Sequence, residues 1–551
     1  MALCACLGLS CSDYFNPENN TVLNGDHYIR ESSEIYAGYL GVINKLQNVG
    51  DKAILLTDTR AEMMEPTGNC EELTDIYNYK PDLSGNHYAD PAEYYDLVIS
   101  CNDFLQKASF YHREHPKVLD ENHYRGLVSC VVRLKTWAYF TIARIYGEVC
   151  WFDDPLLSFV DESSMEYLNL DAALQRCADY LENGYDGING KYNMDWAEWI
   201  LSTDAQDASA GDYYFWDKMV PDYFVLAADI ALWQGRYQDV IDLILPVMNA
   251  KLEATPLGNN QVTWCCTGSY NSYYKSFFDA ASPAPLTAVD VIIYNYANGQ
   301  RNELLKHFYN DYMLRPSQAG MDRYTDYVFN PRLEGRNDPR RDYFIGLSGD
   351  RFYFHKYRKL SGSGRSNPQQ DDVHIYLYRS IDLYLMMAEA FNNLGRYREA
   401  YSLVNDGISM VYVNEGLLYE GFSTHWTKFT VNGTRSYPDM GLRGLFGLGQ
   451  RDMTLPDSAF IKAYAPDSPQ ALNVRKHNDI EILHEIMLEQ PGEGKTYPAM
   501  VRIARRWNDY NIVANEVCAK YPIEQQPQIR TRILEGGYFV PWNHSSRSTL
   551  H

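Results

Sequence analysis

A chain of 551 residues with a net charge of −23 has no surplus of Lys and Arg to neutralise phosphates, which argues against nucleic acid as a partner. Its 45% hydrophobic content allows a large core, yet no run reaches the ~20 apolar residues of a membrane-spanning helix. The 46 Tyr and 10 Trp supply flat apolar faces with polar tips, suited either to a wet binding surface or to packed helices.

In chain order, the first feature is the apolar run Ala2–Leu9, closed by Cys11-Ser12-Asp13 and a polar stretch. It resembles a bacterial lipoprotein signal, with residues 1–10 removed and Cys11 acylated as the mature N-terminus. One acyl chain binds a bilayer only marginally, but two or three on one cysteine hold an ectodomain at the membrane surface. Leu3-Cys4-Ala5-Cys6 is a rival cleavage box, so the mature start is Cys11 or Cys6. No Lys or Arg precedes the run, and the plain alternative is a frayed, cysteine-rich terminus.

Apolar residues at helical spacing predict helices over Ser33–Gln47, Tyr94–Tyr111, His123–Tyr146, Leu170–Leu181, Pro221–Trp233, Tyr237–Asn249, Tyr376–Leu394 and Arg398–Ile408. Gly147, Gly235 and Gly395 end three of them, and strand-like alternation appears in Asp350–Tyr357. Gly235-Arg236-Tyr237 and Gly395-Arg396-Tyr397 mark two similar helix–turn–helix units. Aligned on them, Phe224 matches Tyr384, Ala228 matches Ala388, Ala231 matches Phe391 and Ile244 matches Val404. That spacing resembles a tetratricopeptide repeat. Between the units, Lys251–Asp372 reads as a large irregular insertion rich in Tyr, Asn, Ser and Gly, and Tyr412–Ala463 as a second.

Beyond the terminus, Cys70, Cys101, Cys130, Cys150, Cys177 and Cys518 fall mostly within apolar helical patterns, where cysteine acts as a small hydrophobe. Trp264-Cys265-Cys266 differs. A vicinal disulfide beside a tryptophan would make a flat platform for a sugar ring; two reduced, buried cysteines are the alternative. With Tyr270 this is the first proposed ligand-binding cluster. Asp75 and Tyr77, in the polar loop Thr67–Asp82, and Arg323-Tyr324 with Tyr327 are expected to face it. Asp58, Arg60 and Glu62 either bind hydroxyls or form a helix-end ion network.

Catalytic motifs fail on inspection. His484-Glu485-Ile486-Met487-Leu488 lacks the second histidine of a zinc helix, and Gly494-Lys495-Thr496 has Glu489 where a phosphate loop needs glycine. There is no Gly-x-Ser-x-Gly. No catalytic residue, metal or cofactor is assigned. With 72 Asp and Glu, a hydrolase carboxylate pair stays open only as an alternative of another class.

Four places resemble the SusD/RagB family of outer-membrane nutrient-binding lipoproteins. They are Cys11-Ser12-Asp13, Arg133–Phe140 continued by Tyr146-Gly147-Glu148-Val149, and Tyr378–Ala390 with Asn392, preceded by Asn337-Asp338-Pro339-Arg340. The last is Glu489 with Glu493-Gly494-Lys495, Tyr497 and Val501-Arg502. Cys150 stands where the family has proline, and Gln490-Pro491-Gly492 and Tyr538–Trp542 depart from its pattern.

The resemblance implies an all-α SusD-like fold with tetratricopeptide-like pairs and an irregular ligand-binding region. Residues 11–551 are then one domain, with a scaffold over 30–250 and 373–411 and insertions over 251–372 and 412–463. It further implies a surface-exposed lipoprotein, anchored in outer-membrane lipid through Cys11, that is not an enzyme. Such a protein passes oligosaccharides, or peptides in some members, to a SusC-like TonB-dependent transporter.

Overall fold

The computed structural model describes residues 32–155, 165–192, 219–254, 288–292, 303–304, 306–326, 338, 340–357, 375–408, 419–426, 429–431, 434–436, 441–445 and 449–542. Helices dominate it. The first seven are α1 (Ser32–Arg60), α2 (Glu71–Tyr77), α3 (Ala92–Glu114), α4 (Glu121–Tyr146), α5 (Leu170–Asn183), α6 (Tyr223–Gln234) and α7 (Tyr237–Ala254). Then come α8 (Gln318–Asp326), α9 (Arg340–Phe344), α10 (Ser380–Asn393), α11 (Tyr397–Val404), α12 (Gly441–Leu445) and α13 (Ser458–Ala463). The C-terminal part holds α14 (Pro469–Glu489), α15 (Thr496–Arg506), α16 (Asn511–Cys518) and α17 (Gln526–Arg532).

The ends of these helices follow local chemistry. Asp120 caps α4, its carboxylate accepting from Asn122 N at 2.9 Å and His123 N at 3.0 Å. Gly147 ends α4 at φ +76, and its amide donates to Ala143 O at 2.9 Å. α4 is buried on nearly every side, which marks it as a central helix. It even buries Lys135, whose ammonium donates to Asp153 at 2.6 Å and lies 4.7 Å from the Tyr180 ring.

α1 packs on α3, α3 on α4, α4 on α5, α5 on α6, α6 on α7, α7 on α10 and α10 on α11. The two Gly-Arg-Tyr units, far apart in sequence, are therefore neighbours in space. Their turns match bond for bond: Arg236 N donates to Ala231 O at 2.9 Å, and Arg396 N to Phe391 O at 2.8 Å. Both glycines are left-handed, at φ +76 and +74. From α10 the array continues through α14 to α15, which packs back on α1. Buried apolar residues form a continuous cluster from Ile35 to Val540.

Several sequence expectations change. α1 runs on to Arg60. Tyr376–Arg379 are not helical: Ile375–Arg379 is a strand paired antiparallel with Ala288–Ile292, and all five of its residues are buried. A buried strand has no exposed face, so its apolar run does not separate from the helix that follows. The first insertion also contains Leu314–Pro316, paired with Met64–Pro66, and the hairpin Ile345–Ser348/Arg351–Phe354. The second contains the hairpin Phe429–Val431/Thr434–Ser436 as well as α12 and α13.

Charged residues of the last two family-like motifs, Asp338, Arg340, Arg379, Glu489 and Glu493, meet in one buried ladder. Arg340 Nη1 donates to Glu485 at 2.7 Å and Glu489 at 3.0 Å, and its Nη2 to Asp338 at 2.8 Å. Arg379 donates to Glu493 at 2.8 Å and Glu489 at 3.1 Å, Arg443 to Glu485 at 2.8 Å, and Lys356 to Glu493. Burial alone would raise the Glu493 carboxyl; Arg379 and Lys356 overrule it and hold it at about 2. Glu389 joins the same motifs through Arg502, at 2.7 Å and 2.9 Å. Residues of the catalytic near misses sit here too: Glu485 and Glu489 are ladder carboxylates, and His484 bridges to Glu516 at 3.0 Å.

Candidate functional site

Three cavities compete for attention. Two, of about 40 and 50 Å³, lie among Arg144, Lys495 and Pro498 and have room for a few waters each. The third is an open cleft of about 200 Å³ between α1, the loop before α3, the start of α3, and the segment around Lys306–Asn310. Its lining is polar: Asp51, Lys52, His87, Tyr88, Glu93, Glu303 and His307 among others.

Lys306–Asn310 is one turn of π-helix, and it serves two places at once. Buried His307 meets the Tyr88 hydroxyl at 2.6 Å on the cleft side. Two residues on, Tyr309 joins a partly exposed shelf with Tyr312, Tyr353 and His355. Tyr353 lies 4.9 Å from Tyr309 and 4.8 Å from Tyr312, ring centre to ring centre. Arg351 sits 5.5 Å from the Tyr312 ring. The Tyr312 backbone has φ +48, uncommon outside glycine. Two contacts hold the turn: the Tyr312 hydroxyl donates to Phe352 O at 3.0 Å, and Asn69 donates to Asp311 O and Tyr312 O at 3.2 Å.

The cleft is rich in acceptors. Asp51 receives the Glu303 amide at 2.8 Å and its neighbour Lys52's amide at 2.9 Å. Removal from water nonetheless pushes Asp51 up to about 6, helped by Glu303 and Glu93. Lys52, the cationic side chain lining the cleft, is 3.4 Å from Glu93. Burial holds His307 below the usual histidine range.

The sequence-predicted residues that are described lie elsewhere. Asp75 is ion-paired with Lys80 at 2.7 Å, and Tyr77 is half-buried, 4.5 Å from the Tyr521 ring. Arg323 is paired with Glu516. Tyr77 and Arg323 thus rest on the turn after α16 and on α16 itself. Tyr324 is a correction: it is 0% exposed and its hydroxyl donates to Leu488 O at 2.9 Å, so it braces α14 from inside the core. Asp58, Arg60 and Glu62 are also buried, and Asp58 receives the Gly492 and Gly494 amides at 3.2 and 2.6 Å. This burial argues against hydroxyl binding, but the three do not form an ion network among the described residues: Asp58 takes backbone amides and Arg60 donates to Tyr497 and to Phe539 O. Cys11, Trp264, Cys265, Cys266, Tyr270 and Tyr327 lie outside the described residues. The cleft itself was missed, because Asp51 and His307 look like ordinary helix and insertion residues until the fold joins them. Tyr309 and Tyr312 were signalled only by the tyrosine density of the insertion.

Comparison with solved structures decides the architecture. The chain aligns with a SusD superfamily protein from Bacteroides vulgatus at a TM-score of 0.61 and 10% identity, covering 94% of this chain and 97% of that one. The chain has a SusD-like fold. A SusD superfamily protein from Bacteroides thetaiotaomicron aligns at 0.54 and 15% identity over 95% and 97% of the two chains. A laminarin-binding SusD-like protein aligns at 0.51 and 15% identity over 93% and 99%. No protein-family model matches the chain, and no curated protein does. In this SusD-like frame, the last two family-like motifs form the ladder at the centre, while the cleft and shelf lie where the first insertion meets α1. No helix among the described residues is long and apolar enough to cross a membrane.

Proposed function

We propose that the protein captures a neutral oligosaccharide at the cell surface and does not transform it. The observation that carries this reading is the acceptor-lined cleft beside the tyrosine shelf. Carboxylates and a tyrosine oxygen receive sugar hydroxyls, and exposed rings receive the C–H faces of a pyranose. A net charge of −23 disfavours acidic polysaccharides. Trp264, Cys265, Cys266 and Tyr270, and, away from the cleft, Asp75, Tyr77 and Arg323, are proposed on sequence grounds as further ligand contacts.

The proposal extends to the setting. Residues 11–551 act as one unit, tethered to the outer membrane by acylated Cys11, and hand the glycan to a SusC-like TonB-dependent transporter. A stable lid on a barrel rim would bury at least the ~1,600 Å² of a standard interface. Co-expression with the transporter encoded beside it, followed by mild-detergent purification, tests this. Co-purification supports the role, and separation of the two proteins contradicts it. Incubating the protein with each glycan separates binder from hydrolase: new reducing ends would overturn the non-catalytic reading.

A further inference from the structure

The tautomer of His307 is readable from its neighbours. Its Nδ1 lies 2.8 Å from the Glu303 carbonyl oxygen, which can only accept, so Nδ1 carries a proton. In the neutral ring Nε2 is then an acceptor, and the Tyr88 hydroxyl at 2.6 Å must donate to it. The two rings stand 5.7 Å apart at 86°. The turn itself is fixed, since Met313 N donates to His307 O at 2.8 Å.

A phenol has one proton. With that proton committed to His307, the Tyr88 oxygen offers the cleft only lone pairs. We propose that His307 is a positioning residue: while neutral, it holds Tyr88 as an acceptor for a sugar hydroxyl, and when protonated it reverses Tyr88 and releases the sugar. This rests on the reading of the cleft as a sugar site.

The reversal conserves every proton. An imidazolium carries a proton on Nε2 and donates it to the Tyr88 oxygen. The phenolic proton must then rotate to the other in-plane position, and a sugar hydroxyl loses its acceptor. The groups facing the pair set where this happens. Glu303 and Asp311 favour the imidazolium, while burial and Lys306 oppose it more strongly, so the switch falls on the acid side of an ordinary histidine. Asp51 and Lys52 from α1, Glu72 from α2 with Cys70 just before it, Glu93 from α3, and His87 beside Tyr88 also face the pair.

Two measurements on the full chain test the proposal. Long-range ¹H–¹⁵N spectra of ring-labelled histidine read the His307 tautomer without any ligand. The expected result at about pH 7.5 is a protonated Nδ1 and a bare Nε2. A protonated Nε2 in the neutral ring would overturn the proposal.

Calorimetry follows with laminarihexaose and its mannan, xylan and galactan counterparts. The best binder should weaken at least about tenfold between roughly pH 7.5 and pH 4.5. His307→Gln keeps an acceptor oxygen for Tyr88 at every pH, so whatever its affinity at neutral pH, it should lose the component of the pH dependence that Asp51→Asn preserves. An unchanged pH profile in His307→Gln, or a flat wild-type profile across the observed His307 titration, would overturn the positioning role. If no sugar binds the wild type at either pH, the sugar reading of the cleft fails and the release step with it, while the tautomer is judged by the ring spectra alone.

Discussion

Replacing Arg340 by methionine removes the centre of the buried ladder while keeping a long apolar stem. The Arg340 side chain is 0% exposed and ties three carboxylates, Asp338, Glu485 and Glu489, each at most 2% exposed. Two of these keep a second cation: Glu485 has Arg443 at 2.8 Å, and Glu489 has Arg379 at 3.1 Å. Among the described residues, Asp338 then keeps only the backbone amide of residue 340. One uncompensated buried carboxylate and two weakened ones put the cost at about 3–5 kcal/mol, a large part of the roughly 5–15 kcal/mol that holds a typical domain.

The loss should depend on pH with a definite sign. In Arg340→Met, Glu485, held well below the usual carboxylate range by Arg340 and Arg443 against its burial, loses the first of these partners and rises, so it protonates at milder acidity. Wild-type carboxyls such as Glu493 and Glu389, held at about 2 by their arginine partners, stay charged. Their stabilisation is full above the unfolded value near 4.3 and is lost as pH falls toward 2. Urea unfolding followed by far-ultraviolet circular dichroism should therefore show the full deficit at about pH 7, and less than about 2 kcal/mol near pH 4. A deficit below ~1 kcal/mol at neutral pH, or one that does not shrink with acid, would refute the idea that the ladder is a charged, closed network.

Other expectations are simpler. Glu62 is 0% exposed, neither of its carboxylate oxygens has a hydrogen-bond partner among the described residues, and burial pushes it up to about 7. Glu62→Gln should stabilise the fold by on the order of 1–3 kcal/mol near pH 8, with the gain vanishing near pH 4, where both states are protonated; destabilisation at every pH would contradict this. Gly395→Ala meets no atom within 4 Å and should cost only the left-handed backbone, about 1–2 kcal/mol. Gly147→Ala pays the same strain and also drives a Cβ to 2.5 Å from the Phe539 ring, so its thermal melt should fall clearly further; equal losses would contradict the packing. Cys11→Ala should abolish acyl labelling and release the protein as a soluble chain, whereas loss only with Cys6→Ala would move the mature start.

The sequence carried the helical frame well where local chemistry decides structure. Asp120, Gly147, Gly235 and Gly395 each sit at a helix end for the reason their residue type implies. It failed where pairing is long-range. Ile375–Arg379 is a strand only because Ala288–Ile292 lies beside it, and nothing local announces that partner. The C-terminal helices from Pro469 onward escaped because buried acidic residues, Glu481, Glu485 and Glu489, interrupt the apolar pattern on the buried side of α14. The site suffered most. Tyr88 and His307 form a cleft only once the fold joins them, and Tyr324, expected to face a ligand, has its hydroxyl inside the core.

The most direct test of the central claim is calorimetry of the full chain against neutral oligosaccharides and mixed peptides, with Tyr88→Phe, Tyr309→Ala and Trp264→Ala beside the wild type. The account predicts binding to a neutral oligosaccharide and a loss of at least tenfold, about 1.4 kcal/mol, in each variant. Binding to peptides alone, or full sugar affinity in both Tyr88→Phe and Tyr309→Ala, would contradict it.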